Sequence, residues 1–130
     1  MSWQEYVDKS LLGSGNLDKG AIITAGGDAI WAITPGFDIQ GDETKKIAAA
    51  LAGGEAEDKM RADGIYIAGE RFTFVQSRER HIYGRKDKEG IVIVKTKQAV
   101  VIGHYGEKVQ PAHAASTVEQ LADFIIQSGY

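Results

Sequence analysis

The spacing of apolar positions changes several times along the chain, and each change marks a predicted element. Near the start it is helical: Val7 and Leu11 share one stripe, Trp3 lies beside it, and Tyr6 lies further round. Ser2 as N-cap with Glu5 at the third helical position makes a capping box, in which each side chain satisfies a backbone N–H of the first turn. The helix is predicted from Trp3 to about Leu12, stopping in Gly13-Ser14-Gly15, where glycine permits the positive φ of a C-cap. Its largest residues sit at the edge of its inner face.

Residues 21–25 and 29–34 alternate as two strands joined by Gly26-Gly27-Asp28, a β-hairpin. Alternation places Trp31 with Ala29 and Ile33, and Ile30 and Ala32 opposite. Both faces are apolar, which predicts a hairpin covered on both sides and central in its sheet. Pro35-Gly36 ends it. Asp42 or Glu43 opens a second helix with Ile47, Ala48, Leu51 and Ala52 on one face. Gly53-Gly54 breaks it, and a short amphipathic turn with Met60 follows over 55–61. From Ile65 the period is that of strands: 65–68 and 71–75 around a Gly69-Glu70 turn, then 81–85, 91–95 and 99–102. Short links between them predict an antiparallel meander. A last helix begins near 111–114 and reaches Ser128, with Val118, Leu121, Ala122, Ile125 and Ile126 as its core stripe and Phe124 well off it.

Composition narrows the class. At 43% hydrophobic and 25% charged, the 130 residues fit one globular domain, 1–130. No window has the run of about 18 apolar residues that a membrane helix needs, and the chain opens on a capped polar helix instead of a signal sequence. The chain has no cysteine, which removes disulfides and thiolate chemistry and suggests the cytoplasm.

The net charge of −3 argues against nucleic acid, but its distribution is uneven. Of 15 cations and 18 anions, eight cations and only four anions lie between Glu70 and Lys97, leaving seven and fourteen elsewhere. Such a region either forms solvated strand faces, where Lys and Arg also discourage edge pairing, or meets an anionic partner.

Motifs for catalysis are missing. His81, His104 and His113 have no metal-ligand spacing, there is no nucleophile elbow, and Gly13-Ser14-Gly15 follows a helix and lacks the rest of a nucleotide fingerprint. No cofactor, metal site or enzymatic activity is expected, and function should reside in surfaces. Trp3, Tyr6, Trp31, Phe124 and Tyr130 would form one strip if the terminal helices packed together over the strand of Trp31. Such a strip suits polyproline II ligands, which are already rigid and stack on flat rings, while indole and phenol groups donate to their free carbonyls. Alternatively, the rings seal the seam between helix and sheet.

Several segments together resemble the profilins, the fungal ones in particular, over essentially the whole length. They are Met1-Ser2-Trp3-Gln4-Glu5-Tyr6-Val7-Asp8, Gly27-Asp28-Ala29-Ile30-Trp31-Ala32, Ile82-Tyr83-Gly84-Arg85, Lys95-Thr96-Lys97-Gln98, and 118–126 with a final Tyr130. The resemblance implies an α+β fold, a central antiparallel sheet with the N- and C-terminal helices on one face and shorter helices on the other. It implies a cytoskeletal regulator that binds monomeric actin, promotes exchange of actin's nucleotide and delivers actin to proline-rich elongation factors such as formins. The polyproline site would be Trp3, Tyr6, Trp31, Phe124 and Tyr130, with Phe124 replacing a Tyr or His common in relatives. The actin site would be Arg71, Thr73, Val75, Gln76, Arg80, Tyr83, Arg85, Lys88, Val109 and Gln110. Gln76 stands where several relatives carry Arg, which shifts the burden to Arg78 or Arg80. Phosphoinositide head groups would meet Arg71, Arg85, Lys86 and Lys88 at the membrane surface. The competing expectation is a basic patch for anionic lipid or nucleic acid with no actin role.

Overall fold

A computed structural model describes residues 2–130. The first helix, α1, is composite: α-helical over Trp3–Glu5, π-helical over Tyr6–Leu11 and 3-10 over Leu12–Ser14. The Ser2–Glu5 capping box forms as predicted, and Gly15 at φ 79° closes the helix. Strands β1 (Lys19–Thr24) and β2 (Ile30–Ile33) follow, then α2 (Gly41–Leu51) and α3 (Glu55–Asp63). Next come β3 (Ile65–Ile67), β4 (Glu70–Arg78), β5 (His81–Lys86), β6 (Glu89–Lys95) and β7 (Ala99–Tyr105), and last α4 (Pro111–Gln127).

Among the described residues the strands form one seven-stranded sheet in the order β2-β1-β7-β6-β5-β4-β3, with every neighbouring pair antiparallel. On one face α1 and α4 bury Val7, Leu11, Val118, Ala122 and Ile125 against Ile22, Val92, Val94 and Val101. On the other, α2 and α3 bring Ile47, Ala50 and Met60 onto Ile23, Phe72, Ile93 and Ile102. Gly103 makes the first layer possible: a Cβ there would lie 2.7 Å from Val118 Cγ2 and 2.9 Å from Leu17 Cδ2, so α4 settles directly on the β7 backbone.

Three local expectations are corrected. The first hairpin is not central: β1 is doubly covered, but β2 is an edge strand and Ile30 is 41% exposed. That edge is closed by α1. Gln4 Nε2 donates to the Ile33 carbonyl at 3.0 Å, and its Oε1 accepts from the Ile33 N–H at 3.3 Å. One side chain thereby satisfies both backbone groups of an edge residue. In α2, Ala52 is exposed because the helix ends at Leu51, and the buried stripe runs through Thr44, Ile47 and Ala50.

The third correction concerns the β3–β4 turn, which is Ala68-Gly69, at φ 54° and 80°, and not Gly69-Glu70. Positive φ at both central positions gives the twist a two-residue hairpin requires, though alanine disfavours it by about 1–2 kcal/mol. Glu43 compensates. Its buried carboxylate accepts the N–H groups of Gln40, Ala68 and Gly69 at 2.8, 2.8 and 2.9 Å, capping α2 and gripping the turn at once.

Candidate functional sites: an aromatic strip and a strand face

Four of the five aromatic residues are each positioned by a separate local device. The capping box fixes the direction of Trp3 at the first position of α1. The Glu5 carboxylate at its centre is held below the ordinary value of 4.5, first by the Ser2 backbone N–H and then by Lys9. Trp31 is aimed by a bulge. Ile22 pairs with Ala32 and Ile23 with Ile30, so Trp31 is the extra residue of β2. The irregularity breaks simple alternation. Trp31 joins Ala32 on the α1/α4 side, while Ile33 packs on the other, contrary to the expected grouping of Trp31 with Ile33.

Tyr130 is tethered from its backbone. After Gly129 turns at φ 98°, the Tyr130 N–H donates to Ile125 O at 3.0 Å. Tyr130 O accepts from the Gln98 N–H and from Thr96 Oγ1 at 2.9 Å. The buried Thr96 thus locks the chain's last residue onto the β6–β7 turn, a role that no sequence pattern signalled. Phe124, one residue before the buried Ile125, points outward from α4.

The result is one connected strip. Ring centroids are separated by 4.7 Å for Trp3–Trp31, 5.2 Å for Trp3–Tyr130, 5.7 Å for Trp3–Tyr6 and 5.9 Å for Tyr6–Phe124. Phe124 and Tyr130 are 51% and 43% exposed, and the other three are half-buried. Rings that only sealed a seam would be covered. These keep open faces. Beyond Tyr6 and Phe124 the groove between α1 and α4 widens into a cavity of about 540 Å³ lined largely by hydroxyl and amide side chains.

The second candidate surface lies on β4 and β5. Thr73 pairs with Arg85 and Gln76 with Tyr83, with a bulge between Phe74 and Gln76. Across the bulge β4 changes phase, bringing Gln76 and Arg78 beside Tyr83. With Ala112, Ser116 and Glu119 at the start of α4 these residues line a shallow depression of about 390 Å³. Val75, left without a partner at the bulge, is 58% exposed. Tyr83 donates to Glu119 Oε2 at 2.5 Å, and its hydroxyl is pushed up to about 12 by burial first and by the Glu119 carboxylate second.

The remaining predicted contacts divide. Val109 and Gln110 sit just before α4, close to this depression in sequence. Arg80 is engaged within the fold, donating to Asp123 Oδ1 at 2.8 Å and to Lys95 O at 3.1 Å. Arg71 donates to Asp63 O at 2.8 Å, across the α3–β3 link. Lys86 is paired with Glu70 at 3.0 Å, which holds the ammonium above its ordinary value and the carboxylate below its own. Lys88 lines a surface depression beside Asp18, Asp87, Glu89 and Glu107. Of the four phosphoinositide candidates, Lys86 is thus paired with an acid and Lys88 stands among acids. Glu119 and Arg78 belong to the strand-face depression; Glu119 carries no signal in the sequence, and Arg78 enters the sequence reading only as a substitute for the Arg missing at Gln76.

The profilin family model matches residues 1–130. The chain belongs to the profilin family. Its members are actin-binding regulators of the cytoskeleton. Profilin of Schizosaccharomyces pombe is 41% identical and that of Saccharomyces cerevisiae 42% identical, each over 130 residues and all of both chains. The crystal structure of the S. pombe profilin superposes with a TM-score of 0.93 at 40% identity, covering 99% of this chain and 100% of that one. Mouse profilin IIa, solved in complex with a double repeat from the FH1 domain of mDia1, shares the fold at 18% identity with a TM-score of 0.81 and full coverage of both chains. The α+β architecture expected of a profilin is thus the one observed.

Proposed function

We propose that this profilin holds monomeric actin on its β4–β5 face and proline-rich segments on its aromatic strip, so that actin arrives at elongation factors already bound. The observation that carries the reading is the strip itself. Five rings from three distant stretches of chain touch one another and keep open faces. A polyproline II segment advances ~3.1 Å per residue and loses little entropy on binding, so a rigid strip of rings at 4.7–5.9 Å spacing can stack several prolines at once. The FH1 complex of the mouse relative supports the same ligand class here.

For actin, the residues proposed are Thr73, Val75, Gln76, Arg78, Tyr83 and Arg85, with Val109, Gln110 and Lys88 at the margins. Arg80 serves the fold, and Arg71, exposed but held by Asp63 O, is left out of the actin set. An electropositive strand face suits an acidic protein partner, and linking two sites raises local actin concentration with no added contact. The chemistry is non-covalent and the setting cytoplasmic. A lipid or nucleic-acid module without an actin role finds less support, because Lys86 and Arg80 are already paired with acids. Phosphoinositide contact then rests mainly on Arg85, with Arg71 and Lys88 beside it.

Two measurements test this. Wild-type protein should be retained on a polyproline column and Trp3→Ala should flow through, while Arg85→Glu stays retained. In an actin-assembly assay the pattern reverses, with Arg85→Glu losing inhibition. Unimpaired inhibition by Arg85→Glu would remove that face from the actin site.

A further inference from the structure

The curled sheet brings together residues that the function above leaves unused. His104, on β7, has a side chain only 3% exposed, and carboxylates face both of its ring nitrogens. Asp18 Oδ1 lies 2.6 Å from Nδ1, and Glu89 Oε1 lies 3.0 Å from Nε2. Glu70, from the start of β4, completes a cluster with Glu89 and His104 whose ligand atoms all lie within 4.8 Å of one another. A neutral imidazole has one donor and one acceptor nitrogen. With Nδ1–H donated to Asp18 across the shorter contact, the Nε2 lone pair points at a carboxylate lone pair. A proton on either atom would make this an ordinary hydrogen bond; without one, the contact is repulsive unless a metal ion bridges the two atoms.

We propose that His104 Nε2, Glu89 and Glu70 form a site for a divalent transition-metal ion of the zinc class. Imidazole and carboxylate ligands suit zinc, and three protein ligands plus water complete a tetrahedral shell. Asp18 is the outer partner, fixing the tautomer and orientation of the ring, as the carboxylate behind a metal-bound histidine commonly does. The ligands stand on or at the ends of three strands, β4, β6 and β7, so the ion would tie β4 to β6 and β7 across the intervening β5. Lys86 is the competitor. Its ammonium holds Glu70 at 3.0 Å and must release it before Glu70 can ligate. Lys19 and, when protonated, the His104 ring also act on Glu70. The sequence reading discounted the histidines on spacing, because a cluster drawn from Glu70, Glu89 and His104 leaves no short motif.

The test is a zinc titration of chelator-treated full-length protein, followed by calorimetry and by side-chain nitrogen NMR of the histidines. Saturable binding of one zinc is expected, with the His104 Nε2 resonance moving and Nδ1 still protonated. Glu89→Gln, on the partly exposed rim and so able to fold, should weaken binding at least ~10-fold, and Asp18→Asn should cost ~10–100-fold. Lys86→Met should tighten binding by freeing Glu70, and His113→Ala should leave it unchanged. The proposal is overturned if folded wild type binds no zinc, or if Glu89→Gln and Asp18→Asn bind it as wild type does. A doubly protonated ring indifferent to zinc would identify a proton as the cation between the two groups, and would equally overturn it. Failure of Lys86→Met to tighten binding would remove Glu70 from the ligand set.

Discussion

Truncating Trp3 separates ligand recognition from packing. The indole meets Trp31, Tyr130 and Tyr6 at 4.7, 5.2 and 5.7 Å and is the common member of three of the four ring contacts in the strip. Replacing a fully buried tryptophan by alanine costs ~3–5 kcal/mol. Trp3 is half-buried, so Trp3→Ala is expected to cost ~2 kcal/mol, a fall of roughly 5–10 °C in unfolding temperature for a domain of this size. The loss of ligand should be larger in proportion. An aromatic anchor at the centre of a binding surface contributes ~2 kcal/mol or more, about 30-fold in affinity, and here Tyr130 and Trp31 also lose the ring they lean on. Fluorescence titration with a proline-rich peptide reads this directly, because the chain's two tryptophans both lie in the strip and Trp31 remains as reporter. The control is Leu11→Ala. Leu11 is fully buried and its truncation costs ~2–5 kcal/mol, yet it belongs to no ring contact. Measured below its unfolding temperature, Leu11→Ala should keep ligand affinity within a few-fold. If the two variants lose affinity in proportion to stability, or if Trp3→Ala binds like wild type, the rings are packing and the recognition argument fails.

Three further expectations follow from single contacts. Glu43→Ala leaves three backbone N–H groups without their charged acceptor and should cost ~3 kcal/mol or more, seen as a lower midpoint in urea unfolding. Gly103→Ala places a methyl 2.7 Å from Val118 and should destabilise by ~1–3 kcal/mol; Gly103→Ala with Val118→Ala should recover part of that loss. Tyr83 is raised from 10.0 to about 12, so the folded state keeps a proton that the unfolded chain gives up. Its contribution is therefore complete below pH 10 and is lost as pH climbs from 10 towards 12, a fall in thermal stability that Tyr83→Phe should flatten in that window.

The element order was largely legible in the sequence, because helical and strand periods are long and distinct over 111–127 and 91–105. The capping box at Ser2 and the terminal-helix face of Val7, Leu11, Val118 and Ile125 were equally plain. What periodicity could not show is where a strand loses phase. Bulges at Trp31 and Val75 each insert one residue, and a single extra residue turns every later side chain to the opposite face. That is how Trp31 came to be grouped with Ile33, and why Arg78 was a substitute in the sequence reading and a lining residue in the structure. The apolar hairpin looked central because its edge protection comes from Gln4, a polar residue on another element. The alanine in the β3–β4 turn was hidden for a similar reason: its strain is compensated by Glu43, 25 residues away. The strip is read from residue types, from the off-stripe helical positions of Tyr6 and Phe124, and from the resemblance to profilins. The place of Tyr130 in it depends on the tether from Thr96, which leaves no trace in sequence spacing.

Two-dimensional NMR of isotope-labelled protein titrated with an unlabelled proline-rich peptide, then with the peptide in the presence of actin, examines the two-surface account in one sample. The account predicts that the indole N–H signals of Trp3 and Trp31 and the Tyr130 amide move with peptide alone. Gln76, Tyr83 and Arg85 should stay fixed until actin is added, and then broaden while the peptide stays bound. Unmoved indoles, or peptide-induced shifts centred on β4 and β5, would contradict it.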